Sequence, residues 1–136
     1  MRKVFVFIAI SFVFLTCGYV AAKHFWRGET MSTQEVAKKW GKTSFEADKF
    51  KNADEGIKAA MAFSLIQNRK IFVGTDLSEL RKKLGDFDGL YFSDMFPAYM
   101  IHTGESREQD SWQIVFLLDR NEKVSEIIVH KNCCEK

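Results

Sequence analysis

The residues able to do chemistry are few and badly spaced for it. Histidines stand at His24, His102 and His130, and cysteines at Cys17, Cys133 and Cys134. The nearest approach to a metal-ligand cluster is His130-x-x-Cys133-Cys134. Structural zinc needs a spacer between paired cysteines, and adjacent ones close the tetrahedron poorly, so no metal site is expected. Cys133 and Cys134 read instead as a tail pair, candidates for a mixed or intermolecular disulfide in an oxidising compartment. Asp86 and Asp88 are spaced as paired acids can be, yet with Gly89 behind them they read as turn formers. The chain has no Gly-rich phosphate loop, no nucleophile elbow and no His-Glu-x-x-His helix. The expectation is a protein that is not an enzyme, with no cofactor and no small-molecule substrate.

The most legible feature lies at the start of the chain. Residues 4–22 contain no charge, and Arg2 and Lys3 precede them, which is the order of an export signal. Three fates stay open. Val20-Ala21-Ala22 offers small residues to a leader peptidase. The 19 residues of the run would also span a bilayer, with Phe25, Trp26 and Arg27 as an interfacial belt. Cys17 is the candidate for lipidation, but Thr16 stands where a lipoprotein box carries Gly, Ala or Ser, so Cys17 is expected to be unmodified. Removing Arg2 and Lys3 from the 20 basic residues leaves 18, against 18 acidic ones. An exported domain with that balance has no electrostatic footprint for nucleic acid.

The helices that would position any site are written in their caps. From Thr75 to Gly85 the chain carries a cap residue, Asp76 or Thr75, then Glu79 three places after Asp76, Leu77, Leu80 and Leu84 on one face, and a terminating glycine. Glu79 and Lys83 are placed as an i,i+4 ion pair. Ser32-Thr33-Gln34-Glu35 is a capping box ahead of Val36, Ala37 and Trp40. A third cap, at Asn52 or Asp54, opens a longer helix ending near Asn68, with Ile57, Ala60, Met61, Ser64 and Leu65 as its expected face. Residues 43–52 show no clean period, and 23–31 read as a tether.

The second half reads as strands over 98–102, 112–118 and 123–130, the last two joined by the turn Asp119-Arg120-Asn121-Glu122. Antiparallel pairing with 112–118 in the centre is expected. Ile114 and Phe116 would face the helices, with Leu77, Leu80 and Leu84 packed on them, and Gln113 and Val115 would be partly wet. Pro97, the only proline, suits a strand start. Before it lies an aromatic stretch with two readings. Tyr91, Phe92, Met95 and Phe96 either line the core beneath the helices or form an exposed patch that holds a partner protein.

Gly74 opening the capped helix, Leu84-Gly85, Tyr99, Asp110-Ser111-Trp112, Phe116-Leu117-Leu118-Asp119 and Lys123-Val124 together resemble the SmpA/OmlA-like (BamE-like) family of small bacterial cell-envelope proteins. The family commonly has proline after the Leu-Gly pair and glycine in the last hairpin, where this chain has Asp86-Phe87-Asp88 and Glu122. The resemblance implies an α+β fold of two to three helices on a three-stranded antiparallel sheet, facing the periplasm and acting through protein contacts. The expected organisation is a signal peptide or membrane anchor over 1–22, a tether and short helix over 23–44, the α+β domain over 45–131 and a tail over 132–136. The expected partner is another envelope protein, with the membrane reached through an uncleaved N-terminal segment. The alternative is a periplasmic inhibitor or immunity protein that blocks a toxin or hydrolase.

Overall fold

The computed structural model describes residues 28–92, 95–104 and 111–132. The 4–22 segment with Cys17, and the Cys133-Cys134 pair, lie outside the described residues, and with them the expectations placed there. Among the described residues no helix is long and apolar enough to cross a membrane.

Among the described residues, local signals start three of four α-helices. Helix α1 (Thr33–Trp40) begins at Ser32, whose hydroxyl accepts from the Glu35 amide while the Glu35 carboxylate accepts from the Ser32 amide at 2.7 Å. The Ser32 hydroxyl also donates to the Glu35 carboxylate at 2.6 Å, and this bond first, then the one from the Ser32 amide, holds the Glu35 carboxyl below its usual range. Helix α2 (Ala47–Lys51) falls in the stretch without a period; Phe50 anchors it, fully buried against Phe45 and Tyr99. Helix α3 (Glu55–Gln67) starts at Asp54, which accepts from the Ile57 amide at 2.9 Å. Helix α4 (Leu77–Leu84) starts at Asp76, which accepts from the Glu79 amide at 2.9 Å, and ends at Gly85 with φ +88°. Its Glu79 carboxylate meets Lys83 Nζ at 2.8 Å, the expected ion pair.

Two helical faces differ from expectation. On α3, Ile57 is 40% exposed, while Lys58, Ala59, Met61, Ala62, Leu65 and Ile66 are buried. The run from Ala59 to Phe63 is apolar on nearly every side, so helical spacing cannot select a face; α1 and β2, packed against α3, select it. On α4, Leu80 and Leu84 are buried but Leu77 only half so. The backbone neighbour of α4 is α2, and Leu80 and Leu84 belong with Ile114 and Phe116 to one shared core that does not include Leu77.

The sheet is antiparallel throughout, with strands β1 (Thr30–Met31), β2 (Ala98–His102), β3 (Ser111–Leu118) and β4 (Val124–Asn132) in the order β1-β4-β3-β2. The three expected strands lie in the expected order. The expected three-stranded sheet is nevertheless a four-stranded one, because part of the stretch read as a tether pairs with β4, Thr30 opposite His130 and Met31 opposite Val129. Two residues are too few for alternation to reveal a strand.

Alternation sorts the longer strands onto two faces. Tyr99, Ile101, Ile114, Phe116, Ile127 and Val129 join the helices in the main core. Ala98, Val115, Leu117 and Ile128 face the other way and form a second, smaller core with Tyr91 and Phe96. Gln113 and Val115, expected to be partly wet, are fully buried. The back of the sheet is covered by the connection between α4 and β2.

Candidate functional site

That connection is built from Gly85 onward by contacts that fix its path. Tyr99 Oη donates to the Gly85 carbonyl at 2.9 Å, and Phe87 packs edge-on against the Tyr99 ring at 5.5 Å under the Arg81 guanidinium. Burial, with the nearby Asp88 charge adding to it, pushes the Tyr99 phenol above its usual range, so it is a proton donor and not a base. Asp88 and Gly89 then run along the outer edge of β2. Their amides donate to the Ala98 carbonyl at 3.2 and 3.0 Å, and Asp88 Oδ1 accepts from the Met100 amide at 2.7 Å. Asp88 Oδ2 binds Lys58 Nζ at 2.7 Å, so the residue read as a turn former closes a strand edge and neutralises a buried lysine.

Gly89 is the crossing point. A Cβ there would stand 2.6 Å from Gln113 Oε1 and 3.1 Å from the Ala98 backbone, so only glycine lets the chain lie this flat on the sheet. Gln113 Nε2 donates to the Leu90 carbonyl at 2.7 Å and also faces His130 Nδ1 at 3.4 Å. Tyr91 descends into the back core, edge-on to His130 with centroids 4.7 Å apart. Phe92 lies against Tyr91 at 4.8 Å, and half-buried Phe96 against Tyr91 at 5.8 Å. Pro97 then delivers the chain to β2, its carbonyl accepting from the Phe116 amide at 2.9 Å.

The four expected site residues thus divide. Tyr91 and Phe96 line a core, but behind the sheet and not beneath the helices, which corrects the first reading of them. Phe92 and Met95 face outward, 47% and 67% exposed, and Leu90, not singled out by sequence, joins them at 52%. Phe92 also holds φ +50°, a left-handed conformation that L-residues with bulky side chains avoid. The exposed apolar set is therefore presented by a strained turn standing on a packed base.

No family model, curated protein or solved structure matches this chain.

Among the described residues, the remaining chemistry-bearing side chains are occupied or apart. His102 packs against Trp40, with centroids 6.4 Å apart. Among the described residues no three of His, Cys, Asp and Glu come together as a metal site. A groove of about 380 Å³ beside β1 is lined by Met31, Lys38, Lys39 and Trp112 among others, with the Lys39 ammonium over the Trp112 ring at 5.8 Å. The Trp112 indole N–H is buried, has no hydrogen-bond partner among the described residues and has no open surface toward a ligand. What the arrangement offers chemically is an exposed apolar surface, and its signal in the sequence was the aromatic density from Phe87 to Phe96.

Proposed function

We propose that this protein is a non-catalytic protein-binding module of the bacterial cell envelope, facing the periplasm, whose contact surface is Leu90, Phe92 and Met95. The observation that carries this reading is Phe92, a phenylalanine half-exposed on left-handed backbone. That conformation costs an L-residue on the order of 1–2 kcal/mol. A strained backbone that displays a large apolar side chain instead of burying it is the mark of a contact residue. The export-type segment over 4–22 supports the location, and the resemblance to SmpA/OmlA-like proteins supports a role in envelope assembly.

A photo-crosslinking residue at Met95, compared with one at exposed Lys49 on the helix layer, tests the reading in intact cells. A discrete protein adduct is expected from position 95 alone and is lost in Leu90→Ser/Phe92→Ser. Equal adducts from both positions, or none from position 95, would contradict it. An adduct that proves to be a toxin or hydrolase would select the inhibitor class.

A further inference from the structure

The contact surface lies close to the point where the chain arrives from its hydrophobic segment. Gly28 has φ +66°, and a Cβ on it would stand 2.7 Å from His130 Nε2, so its backbone is seated on that ring. The next residue fixes the entry further: the Glu29 carbonyl accepts from the Lys131 amide at 2.9 Å, and its carboxylate pairs with Lys131 Nζ at 3.2 Å. His130 also packs edge-on against Tyr91, and Tyr91 against Phe92. Two ring contacts therefore separate Gly28 from the exposed apolar set.

Only five residues, 23–27, lie between Ala22 and Gly28. Fully extended, that link spans about 20 Å. With residues 4–22 in a bilayer, the link and the seat of Gly28 on His130 keep the Leu90, Phe92 and Met95 surface near the membrane. We infer that the partner is an integral membrane protein in the same bilayer, gripped at the aromatic, juxtamembrane level of its spanning segments; this rests on the protein-binding reading above. Trp and Tyr gather at that level in membrane proteins, and an apolar, aromatic surface complements them. The lipid itself fits less well. Residues 86–97 carry Asp86, Asp88 and Asp94 and no lysine or arginine, so anionic headgroups would repel the connection.

Full-length protein with a photo-crosslinker at Met95, in native membranes, is compared with the same protein lengthened by about twenty Gly/Ser residues between Ala22 and Lys23. The expected adduct is a protein that resists alkaline extraction, joined within about three helical turns of a spanning segment. Its yield should fall about tenfold in the lengthened chain, since effective concentration drops steeply with linker length. An adduct to a soluble protein, a yield indifferent to linker length, or release of the protein itself by alkali would overturn this inference and leave the protein-binding reading standing. Adducts to lipid alone, or none, would overturn both.

Discussion

The Lys58 ammonium lies 2.7 Å from one carboxylate oxygen of Asp88, whose other oxygen accepts the Met100 amide at 2.7 Å. Asp88 thereby joins α3, the α4–β2 connection and the outer edge of β2. The Lys58 side chain is only 9% exposed and its ammonium also lies over the Phe50 and Tyr99 rings. Asp88→Ala would leave that ammonium without its counter-charge and the Met100 amide without this acceptor. A loss of about 2–4 kcal/mol is expected in urea denaturation, reduced from the fully buried case because Asp88 is half in solvent. Lys58→Met, which replaces the charge by an apolar chain of similar length, should cost less than half as much.

Leu80 is fully buried where α4 meets the shared core. Leu80→Ala should lower the unfolding free energy by about 2–5 kcal/mol. A loss under about 0.5 kcal/mol in the same denaturation experiment would contradict the burial of this face.

Glu122 holds φ +58° in the turn between β3 and β4, and Gly85 holds φ +88° at the end of α4. The two positions make opposite predictions. Glu122→Gly relieves a left-handed L-residue and should stabilise by about 0.5–1 kcal/mol after the added entropy of the unfolded chain. Gly85→Ala forces an L-residue into φ +88°, ψ −174°, a region essentially reserved for glycine, and brings a methyl to 3.2 Å from the Lys51 side chain, so it should destabilise by about 1–3 kcal/mol. Thermal melts of both variants check the pair.

These positions also show where the sequence was informative. Ser32, Asp54, Asp76 and Gly85 act on amides and dihedrals within a few residues of themselves, so helix ends could be read without knowing the fold. The same holds for Trp112 to Leu118, whose alternation is local. The face of α3 was not legible, because Ala59, Ala62 and Ile66 leave its apolar surface nearly continuous and only packing against α1 and β2 chooses a side. Burial of Gln113 and Val115 was not legible either. It depends on Gly89 crossing the sheet and on Tyr91 meeting His130, contacts between segments far apart in sequence. For the site, the aromatic stretch was visible, but which of its side chains face outward is decided by that crossing.

His130 makes stability depend on pH with a definite sign. Gln113 Nε2 donates to the Leu90 carbonyl, so it meets His130 Nδ1 with protons, and a bare, neutral ring nitrogen is the compatible partner. Burial lowers the His130 pKa below 6.5, with the Glu29 charge raising it in part. The unfolded chain therefore takes up this proton at higher pH than the folded chain. The contribution is fully present above the unfolded value and is lost as pH falls through the folded one. Between about pH 7 and about pH 5 the urea midpoint should fall more in the parent than in His130→Gln. Equal slopes would contradict the assignment.

Phe92→Gly, followed in parallel by denaturation and by crosslinking from position 95, tests the central claim that the connection displays Phe92 for contact. Glycine accepts φ +50° without strain, so the relief offsets the lost partial packing. The unfolding free energy is predicted to stay within about 1 kcal/mol of the parent while the protein adduct disappears. A loss of more than about 2 kcal/mol with the adduct retained would show that Phe92 serves the fold, and the claim would be wrong.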